Sequence, residues 1–125
     1  MKRVKPEPTT GFAHMLAAFG YSLSGLRRLW QEAAFRQEVL GGAVGMTTLL
    51  LLGANAATLL MFAVLLLALF AIEALNTAIE MIVDQLSTEW SEFGKQAKDI
   101  GSAAVFMMVL ANGIYFAATL MDLMF

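Results

Sequence analysis

The sequence predicts an all-α integral membrane protein with three transmembrane helices and an N-terminal amphipathic interfacial helix, on three observations. Of its 125 residues, 59% are hydrophobic and 14% charged, too apolar for an ordinary soluble domain of this size. Residues 39–72 and 100–121 carry no charge, and a spanning helix needs only about 20 mostly apolar residues. The basic residues are unevenly placed. Lys2, Arg3, Lys5, Arg27, Arg28, Arg36, Lys95 and Lys98 all precede the first apolar run, open it, or lie between the second and third spans. Short loops rich in Lys and Arg stay inside the cell. The N-terminus and the loop over 84–99 are therefore expected at the cytoplasmic face and the C-terminus in the periplasm.

The elements follow in order. Residues 1–10, with Pro6 and Pro8 among charged residues, predict a flexible tail. Over 11–31, Phe12, Met15, Leu16, Phe19, Leu23, Leu26 and Trp30 recur at steps of three and four, while His14, Ser22, Ser24 and Arg28 occupy the other face. In a membrane protein such a stripe suits a helix lying in the lipid interface; the alternative is a helix packed on the others. The long apolar run is broken once, at Gly53-Ala54-Asn55, residues that favour a tight turn. That break predicts spans over 33–52 and 56–83. A third span is expected over 100–121, with 84–99 a cytoplasmic loop. No secretory leader is expected, because the first thirty residues lack a short apolar core followed by a small-residue cleavage site. Without cysteine there is no disulfide, thiol nucleophile or thiolate metal site, and nothing points to nucleic acid.

Where the second span nears the cytoplasm it changes character: Glu73, Asn76, Glu80 and Asp84 fall at helical spacing after thirty-four uncharged residues, Val39 to Ile72. On one helix these four share a face about 80° wide, with Glu73 lying roughly 16 Å along the axis from Asp84. Ionisable groups inside spans cost at least a few kcal/mol each and usually face a bundle interior or a watery cavity, so this face is the candidate site. The start of the first span adds Glu32, Arg36, Gln37 and Glu38 on the same side of the membrane, with Glu32 and Arg36 an i, i+4 pair. Carboxylates, an amide and lysines at one membrane face suit a hard divalent cation held by oxygen together with phosphate oxygens. A deep glutamate is also placed to act as a general base. No GxxxxGK[ST] loop is present, and "GGAVG" at 41–45 suits close helix packing.

Four blocks, "TTGFAHMLAAFGYSLSGL", "EAAFRQE", "EALNTAIEMIVDQLS" and "AKDIGSAAV", cover residues 9–105 in order. Through them the chain resembles the small bacterial integral-membrane diacylglycerol kinases, relatives of the undecaprenol kinases, and "AAFRQE" is similar to the diacylglycerol branch. The resemblance implies a homotrimer with active sites shared between subunits. The implied reaction is transfer of the ATP γ-phosphoryl to diacylglycerol at the inner membrane, giving phosphatidic acid, with Mg²⁺ as cofactor. It implies Glu73 as catalytic base beside Asn76, and Glu32 and Glu80 as metal ligands that also contact nucleotide. Further nucleotide contacts are implied for His14, Tyr21, Glu89, Trp90, Ser91, Lys98 and Asp99, and lipid-substrate contacts for Phe19, Arg27, Trp30, Phe35, Gln37, Glu38 and Ser102. The chain departs from the family pattern at His14, often Arg there, at Ser91, commonly His, and at Lys95, where Gly is familiar. The spacing between "GYS" and "EAAFRQE" is one residue tighter. Besides an undecaprenol kinase, the alternatives are a small oligomeric ion- or proton-conducting protein, whose stripe would line a pathway, and a purely structural membrane protein.

Overall fold

A computed structural model describes residues 2–125, in which four α-helices follow one another: α1 (Gly11–Leu29), α2 (Ala33–Leu51), α3 (Ala56–Leu86) and α4 (Glu92–Met124). No strand occurs among the described residues, and residues 2–10 are exposed and without regular structure. Residue 1 of the expected tail lies outside the described residues.

The expected break in the apolar run is a turn. Gly53 takes φ +83°, a conformation open to glycine at little steric cost. Asn55 then caps α3, its Oδ1 accepting from the Thr58 amide at 2.9 Å. At the other end of α3 the expected 84–99 loop contracts to 87–91, because α3 continues to Leu86 and α4 opens at Glu92. Ser91 starts α4 by accepting the Gly94 amide at 3.0 Å. Gln96–Glu92 and Lys95–Asp99 pairs, each four residues apart, then support its first turns. Polarity alone suggested a loop; the i, i+4 spacing of those same charges is what a helix needs.

Helices α3 and α4 are long and apolar enough to cross a membrane. Helix α2 falls short of that apolarity, since Arg36, Gln37 and Glu38 occupy its first turns and three glycines and two threonines dilute the rest. The main packing is α3 on α4, with α2 lying against both. Small residues let α2 approach: a Cβ on Gly42 would come within 2.9 Å of Leu66, and one on Gly45 within 3.0 Å of Phe62. The Phe62 ring lies near Phe116 and is stacked on Tyr115, whose hydroxyl donates to the Thr58 carbonyl at 3.2 Å. Asn112, buried in the apolar half of α4, donates Nδ2 to the carbonyls of Leu65 at 3.1 Å and Met108 at 2.9 Å. It ties α4 to α3.

Outside this seam the helices present large apolar side chains outward, among them Leu67, Phe106 and Ile114. Helix α1 does the same. Its whole apolar stripe is exposed, whereas Leu29 is buried. Ser22, Gly25, Leu26, Arg28 and Leu29 face Ala74, Thr77, Ala78 and Met81 of α3 across a cavity. Helix α1 therefore meets the bundle mainly through its small and polar side, and most of its apolar side stays open.

Candidate active site

On α3 the stripe expected from spacing forms one helical face, and its deep end is buried: Glu73, Asn76 and Thr77 are all withdrawn from solvent. Glu38 reaches across from α2 to lie against the Glu73 carboxyl. One turn further, Asn76 Nδ2 donates to Glu80 Oε1 at 3.3 Å. Its Oδ1 points at Gly101 of α4, where an added Cβ would overlap it. The bare glycine is what lets α4 close over the amide. Two oxygens here, Asn76 Oδ1 and Glu38 Oε2, are buried without a hydrogen-bond partner. Leaving such an atom unsatisfied costs about 1–3 kcal/mol. Both are acceptors, the kind of atom that a proton donor or a cation satisfies.

The outer end of the face is open. Asp84, the last acid of the stripe, pairs with Lys98 of α4. Lys98 lies before the apolar run of α4, and the hydrogen bond it donates to the Asp84 carboxylate holds its ammonium above the usual lysine range. Beside it Lys95 pairs with Asp99 at 2.6 Å, and the Ser87 and Ser91 hydroxyls meet at 3.0 Å. These residues, with Val83, Thr88, Glu89, Trp90 and Gly94, line a cavity of about 330 Å³ under the α3–α4 turn. Five of the expected nucleotide contacts, Glu89, Trp90, Ser91, Lys98 and Asp99, thus share one cavity.

Other expected residues lie elsewhere. His14, Phe19, Tyr21 and Arg27 are exposed on α1, and none lines the turn cavity. Phe35 is buried, edge-on to Trp30 at 6.1 Å and to Phe70 at 5.4 Å, so it packs the junction of α1, α2 and α3. Gln37 and Ser102 are exposed. The Glu32–Arg36 pair expected from i, i+4 spacing does not form. Glu32 is the residue before α2, in extended geometry, so its side chain meets Arg28 at 2.7 Å instead. Arg36 Nη1 then donates to the Trp30 carbonyl at 2.7 Å.

No group of three or more His, Cys, Asp or Glu side chains placed to hold a metal occurs among the described residues. Glu32 and Glu80, the expected ligands, are held by Arg28 and Asn76 respectively. The chemistry of the donors nevertheless suits a hard cation, since every candidate offers oxygen and two oxygens are unpartnered. Sequence reasoning missed Lys95, Ser87 and Gly94 as cavity residues, and Thr77 and Asn112 as buried polar groups. For Ser87 and Ser91, spacing of four on adjoining helix ends was a usable signal; for Asn112 there was none, because one amide in an apolar run has no periodicity.

A sequence profile described as "Prokaryotic diacylglycerol kinase" matches residues 20–120. The chain belongs to the prokaryotic diacylglycerol kinase family. Proteins named "Diacylglycerol kinase" are similar to it over most of its length. One from a Sinorhizobium species is 48% identical over 111 residues, covering 89% of this chain and 81% of that protein. One from Pseudomonas aeruginosa is 43% identical over 114 residues, covering 90% and 92%. One from Escherichia coli is 39% identical over 103 residues, covering 82% and 84%. The span matched by this kinase family contains the whole polar face and the turn cavity, and omits His14 and Phe19.

Proposed function

We propose that this member of the family is an ATP-dependent diacylglycerol kinase working at the cytoplasmic face of a bacterial inner membrane. The observation that carries the reading is the continuous polar face of α3. It runs from the buried Glu73, against which the half-buried Glu38 of α2 lies, through Asn76 and Glu80, to a lysine-bearing cavity at the helix turn. A lipid hydroxyl enters from the apolar side and a nucleotide from the watery side, and both reach one face.

In this mechanism the acceptor hydroxyl oxygen bonds to the γ-phosphorus as the bond to the β–γ bridging oxygen breaks. ADP departs, and the hydroxyl proton passes to the Glu73 carboxylate as general base. Asn76 orients the Glu80 carboxylate, and Lys98 offsets charge on the phosphates. Glu80 and Glu32 are the residues that would hold Mg²⁺, whose chemistry is to neutralise phosphate charge. Because Glu32 and Glu80 have separate partners within one chain, sites shared between neighbouring subunits of a homotrimer fit the reading. So does a third span through α2, with the open stripe of α1 lying on lipid headgroups; the N-terminus is then cytoplasmic and the C-terminus periplasmic.

The test is transfer of ³²P from labelled ATP with Mg²⁺ to lipid in mixed micelles, offering diacylglycerol and undecaprenol side by side. Labelled phosphatidic acid with a higher kcat/KM for diacylglycerol is expected. Transfer to undecaprenol alone, or to neither by folded protein, overturns the assignment.

A further inference from the structure

We propose that Lys95 is a second phosphate-binding lysine of the turn cavity, holding the nucleotide polyphosphate together with Lys98. The inference rests on the functional reading above and adds a residue that the family resemblance does not supply. Lys95 and Lys98 stand one helical turn apart on α4, and both residues line the same cavity. Each already holds an anionic oxygen, Lys95 from Asp99 at 2.6 Å and Lys98 from Asp84. The two carboxylates occupy the places that phosphate oxygens would take.

Exchange is easy because both pairs are open to water; the Lys95 and Asp99 side chains are 54% and 63% exposed. Exposed pairs of this kind contribute little to stability. A phosphate chain offers several charged oxygens to the two ammonium groups at once. Charge sets a further condition. Asp84, Glu89 and Asp99 line the cavity together with Lys95 and Lys98, three acidic residues against two basic ones. A bare polyphosphate is therefore repelled, and one carrying a divalent cation is accepted. Without Lys95 the balance shifts one further charge against the nucleotide.

The experiment uses full-length protein in detergent micelles, with size-exclusion elution and tryptophan fluorescence checking the fold of each variant. Binding of β,γ-methylene-ATP with Mg²⁺ is titrated directly, and ATP and diacylglycerol kinetics are measured beside it. Lys95→Gln is expected to weaken nucleotide binding and raise KM for ATP about tenfold, the loss of one charge-assisted contact. kcat and KM for diacylglycerol stay within about twofold, and Lys95→Arg recovers most of the loss. Nucleotide affinity unchanged in Lys95→Gln, or no nucleotide binding by the wild-type chain, overturns the assignment. Binding that depends on Lys95 without transfer to diacylglycerol overturns the acceptor reading instead, and supports Lys95.

Discussion

The two polar regions joined by α3 are built on opposite terms. Around Glu73, Glu38 and Asn76, oxygen atoms are withdrawn from water and two of them lack a partner. Around Asp84, Lys95, Lys98 and Asp99, the charges are paired and stand open to solvent. The buried region carries acceptor oxygens that the chain itself leaves unpaired, at a cost; the exposed one is satisfied already and exchanges its partners readily. One is suited to chemistry in a water-poor place, the other to capture of a charged ligand arriving from water.

The comparison breaks most sharply at Glu73. Glu73→Gln removes the proton acceptor while keeping shape, so turnover is expected to fall by about 10²–10⁴, the range for loss of a general base. Thermal unfolding and size-exclusion elution should stay near wild type. Turnover within a few-fold of wild type would refute the base assignment.

Next comes Gly101. A methyl group there overlaps Asn76 Oδ1, so Gly101→Ala is expected to cost about 1–3 kcal/mol in denaturant unfolding, the usual range for overpacking, and to lower turnover by displacing the amide. Adding Asn76→Ala should return most of the stability without returning the activity. If the double variant recovers activity, Asn76 is only packing.

The smallest effect belongs to the exposed region. Since Asp84 raises the Lys98 ammonium above its ordinary range, the stabilisation is full below the unfolded-state value of about 10.4. It is lost as pH rises through the higher folded-state value. Hydrogen exchange at the α3–α4 turn should therefore rise faster above pH 10.5, relative to the chemical rate, in wild type than in Lys98→Gln. Matching profiles would show that the pair does not hold the turn.

Much of this was legible in the chain. Apolar runs, a single Gly-Ala-Asn break and the periodic stripe over 11–31 predicted four helices, the number found among the described residues, and the spacing of Glu73, Asn76, Glu80 and Asp84 predicted the candidate face, because side-chain direction along a helix depends only on position. The same logic misjudged 92–99, where a polar run was read as loop though its charges are four apart. It also misjudged Glu32, whose partner depends on where α2 begins and not on spacing.

By itself, then, the sequence determined that the chain is helical and largely apolar, which residues share a face, and through its ordered blocks which family it resembles. Only the tertiary structure decided which faces meet: Glu38 against Glu73, Gly101 over Asn76, Asp84 with Lys98, and Lys95 in the same cavity. Those pairings join residues on different helices, or across a turn. They depend on how closely small residues such as Gly42, Gly45 and Gly101 let the backbones approach, a distance that no one-dimensional period records.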